Sequence, residues 1–283
     1  DMEWSQSLYS DLVALQEEWG LDNFQFVYSE NMWSIQDSAD AMRDYASEGY
    51  DLVLAHGGQY GSAILEMAPD FPNTSFAWGT SGTTFSEEGI TNVFGYDARS
   101  QEAGYVCGVL AAKLSESGII GLVNPLEAGE TKAYANGFEA GLLSVNPDAT
   151  VKSIWTGSYS DVALAAEAAR TLIAAGADIL SGTSQQAVGA IGVTRECGLL
   201  WFAARYDQTS LAPKTIVVNA IYDWTAILRP MIQAIKEGTR GGEVFWLTLA
   251  NGGFKFTVNP EALLGKTIKG IINGEIQIEV GKE

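Results

Sequence analysis

The sequence predicts an α/β protein made of two doubly wound parallel-sheet lobes with a cleft between them. Three observations carry this. Short apolar strand patterns alternate with amphipathic helix patterns almost without interruption along 283 residues. About ten strands precede the tail, too many for one ordinary doubly wound sheet and suited to two sheets of about five or six. No Pro-rich or Gly/Ser-rich linker breaks the alternation, so short crossings join the lobes. Ligands of open α/β sheets lie outside the C-terminal ends of the strands, which makes an interlobe cleft the expected site.

The elements follow in order. Residues 5–19 place Leu8, Leu12, Leu15 and Trp19 on one helical stripe. Residues 24–28 read as a strand. Ser34 is an N-cap for a helix to about Ala46, with Asp37 at the capping-box position. A strand over 51–55 ends at His56-Gly57-Gly58, followed by a helix over about 60–68 and strands at 74–78 and 92–96. A long helix runs from about Ser100 to Ser115. Then come a strand (118–124), a helix (129–145) with Tyr134, Phe138 and Leu142 on one face, and a strand (151–155). Asp161 opens an Ala-rich helix; a strand at 177–180 and a helix at about 185–196 come next. Strands at 199–203 and 215–220 flank a loop holding Tyr206-Asp207, and a helix covers about 223–237. Strands 244–249 and 254–258 flank Asn251-Gly252-Gly253, a hairpin signal. A short helix and a strand at 275–280 close the chain. The first element is a helix, whereas a doubly wound lobe opens with a strand; that strand is expected upstream of Asp1.

Composition narrows the function. With 35 acidic and 16 basic residues the formal charge is −19. A polyanion is repelled, so no nucleic-acid partner is expected, nor docking on an anionic membrane surface. No apolar run approaches the roughly 20 residues of a membrane span. Two Cys and one His exclude a disulfide scaffold, a zinc finger and a His-rich metal site. Cys107 and Cys197 sit in apolar helical patterns and read as buried thiols.

Catalytic motifs are missing: no phosphate loop, dinucleotide fingerprint, nucleophile elbow or zinc-protease helix. No metal and no cofactor is expected, and no enzyme activity. His56 reads either as a polar cleft residue or as a plain loop histidine, with no activated nucleophile near it in sequence. The positive signal is aromatic. Trp4 precedes the first helix, Trp155 ends a strand and Tyr206 follows one; each ring either packs on a helix or stacks on a flat ligand. Carboxylates stand at element ends too: Asp1, Glu102, Asp161 and Asp207. Asp161 reads as a helix N-cap and Asp1 as a terminus, so Asp207 is the better candidate for accepting hydrogen bonds from ribose hydroxyls or a base N–H.

The order of motifs resembles the basic membrane protein family of solute-binding proteins, the purine-nucleoside receptor branch of the type I periplasmic-binding fold. The resemblance covers nearly the whole chain. It rests on D-M-E-W-S-Q-S (1–7), Y-D-L-V-L-A-H-G (50–57), P-D-F-P-N (69–73) and Q-E-A-G-Y-V-C-G-V-L (101–110). In the second half it rests on W-T-G-S-Y-S-D (155–161), G-A-D-I (176–179), Y-D-Q (206–208) and N-G-G (251–253). The resemblance implies an extracytoplasmic receptor, periplasmic or lipid-anchored, that delivers a small molecule to an ABC transporter permease and acts as a monomer. It implies a first lobe of 1–97 plus about 223–250 and a second of 98–222 plus about 251–283. It further implies a purine nucleoside or nucleobase held between aromatic rings. Trp4 falls on the first-lobe stacking position, Trp155, Tyr206 or both supply the opposing ring, and Asp207 holds ribose hydroxyls. Ser5, His56, Gly57 and Asn219 line the site. Glu102 either holds a base edge or serves as a lobe-crossing residue.

The chain departs from the family at three places. Ser5 replaces a common Asn, residues 219–223 replace a stretch that often offers Lys, and Arg205 replaces the first acid of a D-x-D-Q loop. These changes bring a free nucleobase or another flat heterocycle into consideration. A ligand-sensing receptor uses the same clamp. A nucleoside-processing enzyme would need a cluster of carboxylates that the sequence does not show.

Overall fold

The computed structural model describes residues 3–258 and 271–272. In chain order the elements are α1 (Trp4–Trp19), α2 (Ile35–Glu48), β1 (Leu52–Ala55), α3 (Gly61–Met67), β2 (Ser75–Gly79) and β3 (Val93–Ala98). Then follow α4 (Ser100–Leu114), β4 (Ile119–Asn124), α5 (Gly129–Val145), β5 (Thr150–Trp155), α6 (Val162–Ala174), β6 (Ile179–Gly182) and α7 (Ala187–Glu196). The last are β7 (Leu200–Arg205), β8 (Ile216–Tyr222), α8 (Thr225–Lys236), β9 (Val244–Leu247) and β10 (Phe254–Val258). No helix among the described residues is long and apolar enough to cross a membrane.

The chain forms two compact units, each with its own sheet. The first lobe is Asp11–Ala98 with Trp224–Leu247. Its sheet has four parallel strands in the order β1-β2-β3-β9. Val53, Ala55, Ile64, Met67, Phe76 and Val93 build its core, with Met42 and Ala46 of α2 packed on it. Helix α2 forms there for local reasons as well. Ser34 Oγ accepts the Asp37 N–H at 3.2 Å, and Gly49 ends the helix in the left-handed conformation that a residue with a Cβ disfavours.

The second lobe comprises the described residues up to Ser10, Arg99–Asp223 and the described residues from Thr248 on. Its sheet has six strands in the order β10-β8-β7-β6-β4-β5, parallel except for β10, which pairs antiparallel with β8. One face is covered by α6 and α7 through Ala165, Ala168, Ala169, Leu172, Ala190 and Ile191. Asp161 caps α6 by accepting the Ala163 and Leu164 N–H groups, both at 3.0 Å. Helices α4 and α5 pack backbone to backbone. Gly104 and Gly108 lie against the main chain of Tyr134 and Phe138, while Gly137 and Gly141 lie against that of Gln101 and Tyr105. A Cβ at any of the four would overlap a carbonyl oxygen of the facing helix.

Five expectations are corrected. Residues 24–28 join neither sheet. The alternation that suggested a strand instead lines up Phe24, Phe26 and Tyr28, with successive centroids 6.4 Å apart. The expected hairpin around Asn251 does not form: β9 runs parallel to β3 in the first lobe, whereas β10 pairs with β8 in the second. Asn251 Oδ1 accepts Thr248 and Gly253 N–H groups, so the turn chemistry serves a crossing between lobes. Among the described residues the first sheet has four strands instead of five or six. Cys197 is exposed because it caps α7 beyond the last inward position, Thr194. Glu3 through Ser10, expected in the first lobe, belong to the second, where Glu3 is buried against Arg205. The closing strand at 275–280 and Asp1 lie outside the described residues.

Candidate functional site

The two lobes each carry part of the candidate set. In the second lobe it is built on the C-terminal ends of β5, β6 and β7. Strand β7 ends on Arg205, which adopts φ +69°, and Ser184 just past β6 adopts φ +75°. Non-glycine residues seldom hold this left-handed region, and such strain concentrates where a fold presents functional groups. Both residues bond the same carboxylate: Glu3 Oε1 accepts the Ser184 N–H at 2.6 Å and a hydrogen bond from Arg205 Nη1.

Arg205 is the hub. Its guanidinium is 1% exposed and bridges Glu3 and Glu130, while Ser100 Oγ donates to the other Glu130 oxygen at 3.0 Å. The rings of Trp4 and Tyr222 lie 5.5 and 6.0 Å from the guanidinium carbon, within cation–π range. Burial works against the Arg205 charge, but Glu130 and Glu3 outweigh it and hold the group protonated. Burial pushes the Glu3 carboxyl up to about 7, against the pull of Arg205. The sequence reading missed Glu3 and Glu130. A signal was present: an arginine ending the apolar run Leu200-Trp201-Phe202-Ala203-Ala204 requires buried counter-charges.

Beyond Arg205 the chain turns through Tyr206, half-buried, and Asp207, exposed. Asp207 Oδ1 accepts the Thr209 N–H at 2.9 Å. Asn219 on β8 is buried under this loop. Its Oδ1 accepts the Gln208 N–H at 3.0 Å, and its Nδ2 donates to Thr209 and Thr257 hydroxyls, both at 2.9 Å. With both amide hydrogens committed, Asn219 shapes the loop that presents Tyr206 and Asp207. Trp155 is half-buried at the end of the edge strand β5. Glu102, in the first turn of α4, accepts the Leu249 N–H at 2.7 Å. Burial raises its pKa, with that N–H pulling it back. This contact holds the 248–253 crossing. Ser5 is exposed on α1, one residue past Trp4.

In the first lobe the candidates are His56 and Gly57, after β1. His56 Nδ1 lies 2.8 Å from the Tyr96 hydroxyl, and the rings stack at 5.9 Å with an interplanar angle of 10°. Trp224 sets its ring edge-on to both, at 5.1 Å from His56 and 5.9 Å from Tyr96. Gly57 is extended; a Cβ there would meet only the flexible end of Gln59. Among the described residues no group of His, Cys, Asp and Glu has the arrangement of a metal site.

Two doubly wound lobes with aromatic rings and polar groups at strand C-termini define a type I periplasmic-binding architecture, that of solute-binding proteins. A sequence model described as ABC transporter substrate-binding protein PnrA-like (Bmp) matches residues 1–281, and the chain belongs to this family. A relative named purine-binding protein from Brucella abortus is 30% identical over 82% of this chain and 64% of its own length. Another, named putative ABC transporter glucose-binding protein from Haloferax volcanii, is 25% identical over 89% of this chain and 62% of its own length. The chain thus spans less than two-thirds of either relative. A solved ABC transporter solute-binding protein from Conexibacter woesei superposes with a TM-score of 0.81, covering 99% of this chain and 95% of that one at 22% identity.

Proposed function

We propose that the chain is the extracytoplasmic receptor of an ABC importer and that its solute is an uncharged purine, a nucleoside or a free base. One observation carries the ligand class. Just beyond β7 the half-buried Tyr206 is followed by the exposed Asp207, while the preceding cation, Arg205, is taken up by Glu3 and Glu130. A flat ring stacks on Tyr206 or Trp155, and Asp207 accepts from ribose hydroxyls or a base N–H. A phosphorylated solute would meet a carboxylate and a neutralised arginine, which disfavours nucleotides. The relative named purine-binding protein supports the same class.

Binding shifts the population toward the form that holds the solute best. The permease then takes the solute over. A second reading, a sugar, is favoured by the name of the Haloferax relative and by the aromatic faces.

Thermal melting of protein refolded free of carried-over ligand tests this. A solute at about 100 times its Kd adds roughly 2.7 kcal/mol, several degrees for a chain of this size. A shift with purine nucleosides or bases, lost in Asp207→Ala for nucleosides, is expected. A shift with glucose and none with any purine would replace the ligand class.

A further inference from the structure

We propose that the corner at Trp33 and the groove beside it, between α2 and α3, form the surface on which the importer's permease docks, with Trp33 as the apolar anchor and basic side chains of the permease on the acidic rim. The inference rests on the receptor reading above and adds the place of contact.

Trp33 is 58% exposed and Ile35 51%. A large ring left in water on a rigid support is the usual form of an interface anchor. The support here is built. Asn31 turns the chain at φ +59°, a left-handed conformation that Asn tolerates. The Met32 carbonyl then accepts from the Tyr60 hydroxyl at 2.9 Å and from Ser38 Oγ at 3.0 Å. The Trp33 N–H closes onto the Asn31 carbonyl at 2.8 Å, and Ser34 caps α2 directly after it. Tyr60 lies between β1 and α3, so its bond to Met32 sets the corner at the C-terminal end of the first lobe's sheet. His56 and Gly57 stand at that same end.

Ile35 is also one wall of a groove of about 270 Å³ between α2 and α3. Ala39, Ala63 and Met67 line it from the core side, and Asp40 and Glu66 stand exposed on its rim. Arg43, the cation in the groove, pairs with Asp70 at 3.6 Å. The rim thus keeps a net negative charge. The lobe as a whole has 17 acidic and four basic residues, −13 of the chain's −19. Such a lobe is repelled by an anionic lipid surface, whereas a protein surface with basic side chains around an apolar pocket is attracted and steered to it. The permease must meet the receptor at the end of the sheet where the solute is held. A second copy of the chain brings the same negative charge, which works against self-pairing here.

ATPase assays of the importer's membrane complex, reconstituted in phosphatidylcholine nanodiscs and titrated with the receptor with and without adenosine, test this. Trp33→Ala and the double variant Asp40→Lys/Glu66→Lys should each raise the half-maximal receptor concentration roughly tenfold or more. Both should keep the wild-type melting curve and purine affinity, because the side chains are exposed. A matched reversal at exposed positions of the second lobe, Glu139→Lys/Glu167→Lys, should leave the half-maximal concentration near the wild-type value. Wild-type stimulation by both first-lobe variants, or an equal loss in the second-lobe variant, would overturn the proposal. A wild type that binds purine and stimulates no ATPase activity would overturn the receptor reading, and the permease as occupant with it. A concentration-dependent dimer in sedimentation velocity that Trp33→Ala abolishes would assign the surface to a second copy and overturn the permease contact.

Discussion

Glu3 occupies an unusual electrostatic position for a carboxylate. It is buried with a second carboxylate, Glu130, around a single guanidinium. Its native pKa of about 7 lies above the ordinary 4.5, so the native state binds more protons than the unfolded chain between those values. Its contribution to stability therefore falls as pH rises through that window. The melting temperature of the wild type should drop relative to Glu3→Gln between pH 4.5 and about 7 and level off above it. A relative gain over that range would contradict the assignment. Asn219 and Asp207 should separate cleanly. Asn219→Ala leaves the Gln208 N–H and two hydroxyls short of a partner, costing about 1–3 kcal/mol and several degrees in Tm. Asp207→Ala should melt within about 1 °C of the wild type and lose purine affinity, because the side chain is exposed. The sequence ranked Asp207 ahead of the other carboxylates on the lack of a capping role; in the structure it stands exposed beyond β7 with its Oδ1 accepting the Thr209 N–H. It could not separate Asn219 from the ligand-facing residues, since an amide that ties down a loop and one that faces solute look identical in one dimension.

At the level of elements, Gly104, Gly108, Gly137 and Gly141 of α4 and α5 do opposite work from Gly192 of α7. Gly108→Ala drives a methyl group into the Phe138 main chain and should cost about 1–3 kcal/mol. Gly192, inside α7, has no atom within 4 Å of an added Cβ, so Gly192→Ala should stabilise by about 0.5–1 kcal/mol. Urea melts of the two variants check the contrast. Helices and parallel strands were legible because each carries its own period and caps; Ser34 and Asp161 mark their helices in the structure as in the sequence. Partnership was not legible. The alternation at 24–28 has the period of a strand, but a strand also needs a neighbour to bond, and period says nothing of that. Asn251-Gly252-Gly253 has hairpin chemistry, yet its flanking strands go to different sheets, and a turn signal cannot tell a return from a crossing.

For the molecule as a whole, the chain passes between units after Ser10, Ala98, Asp223 and Leu247. Two doubly wound lobes with short crossings were readable from strand number and the lack of linkers. The allotment of the first residues was not, because it depends on a pairing over a distance that no local pattern spans: Glu3 meets Arg205 across 202 positions of sequence. That separation has a kinetic consequence. On a growing chain Glu3 stays without its counter-charge until synthesis has passed Arg205, and in refolding the pair closes a loop of most of the chain. Contacts of such high order form late, after the local helix and strand pairings of α4 to β7 have assembled. Glu3→Gln should then leave the refolding rate nearly unchanged and speed unfolding, a φ-value near zero in a chevron plot. The ion pair is the clasp that slows opening of a finished lobe, and the nucleus from which that lobe grows lies elsewhere.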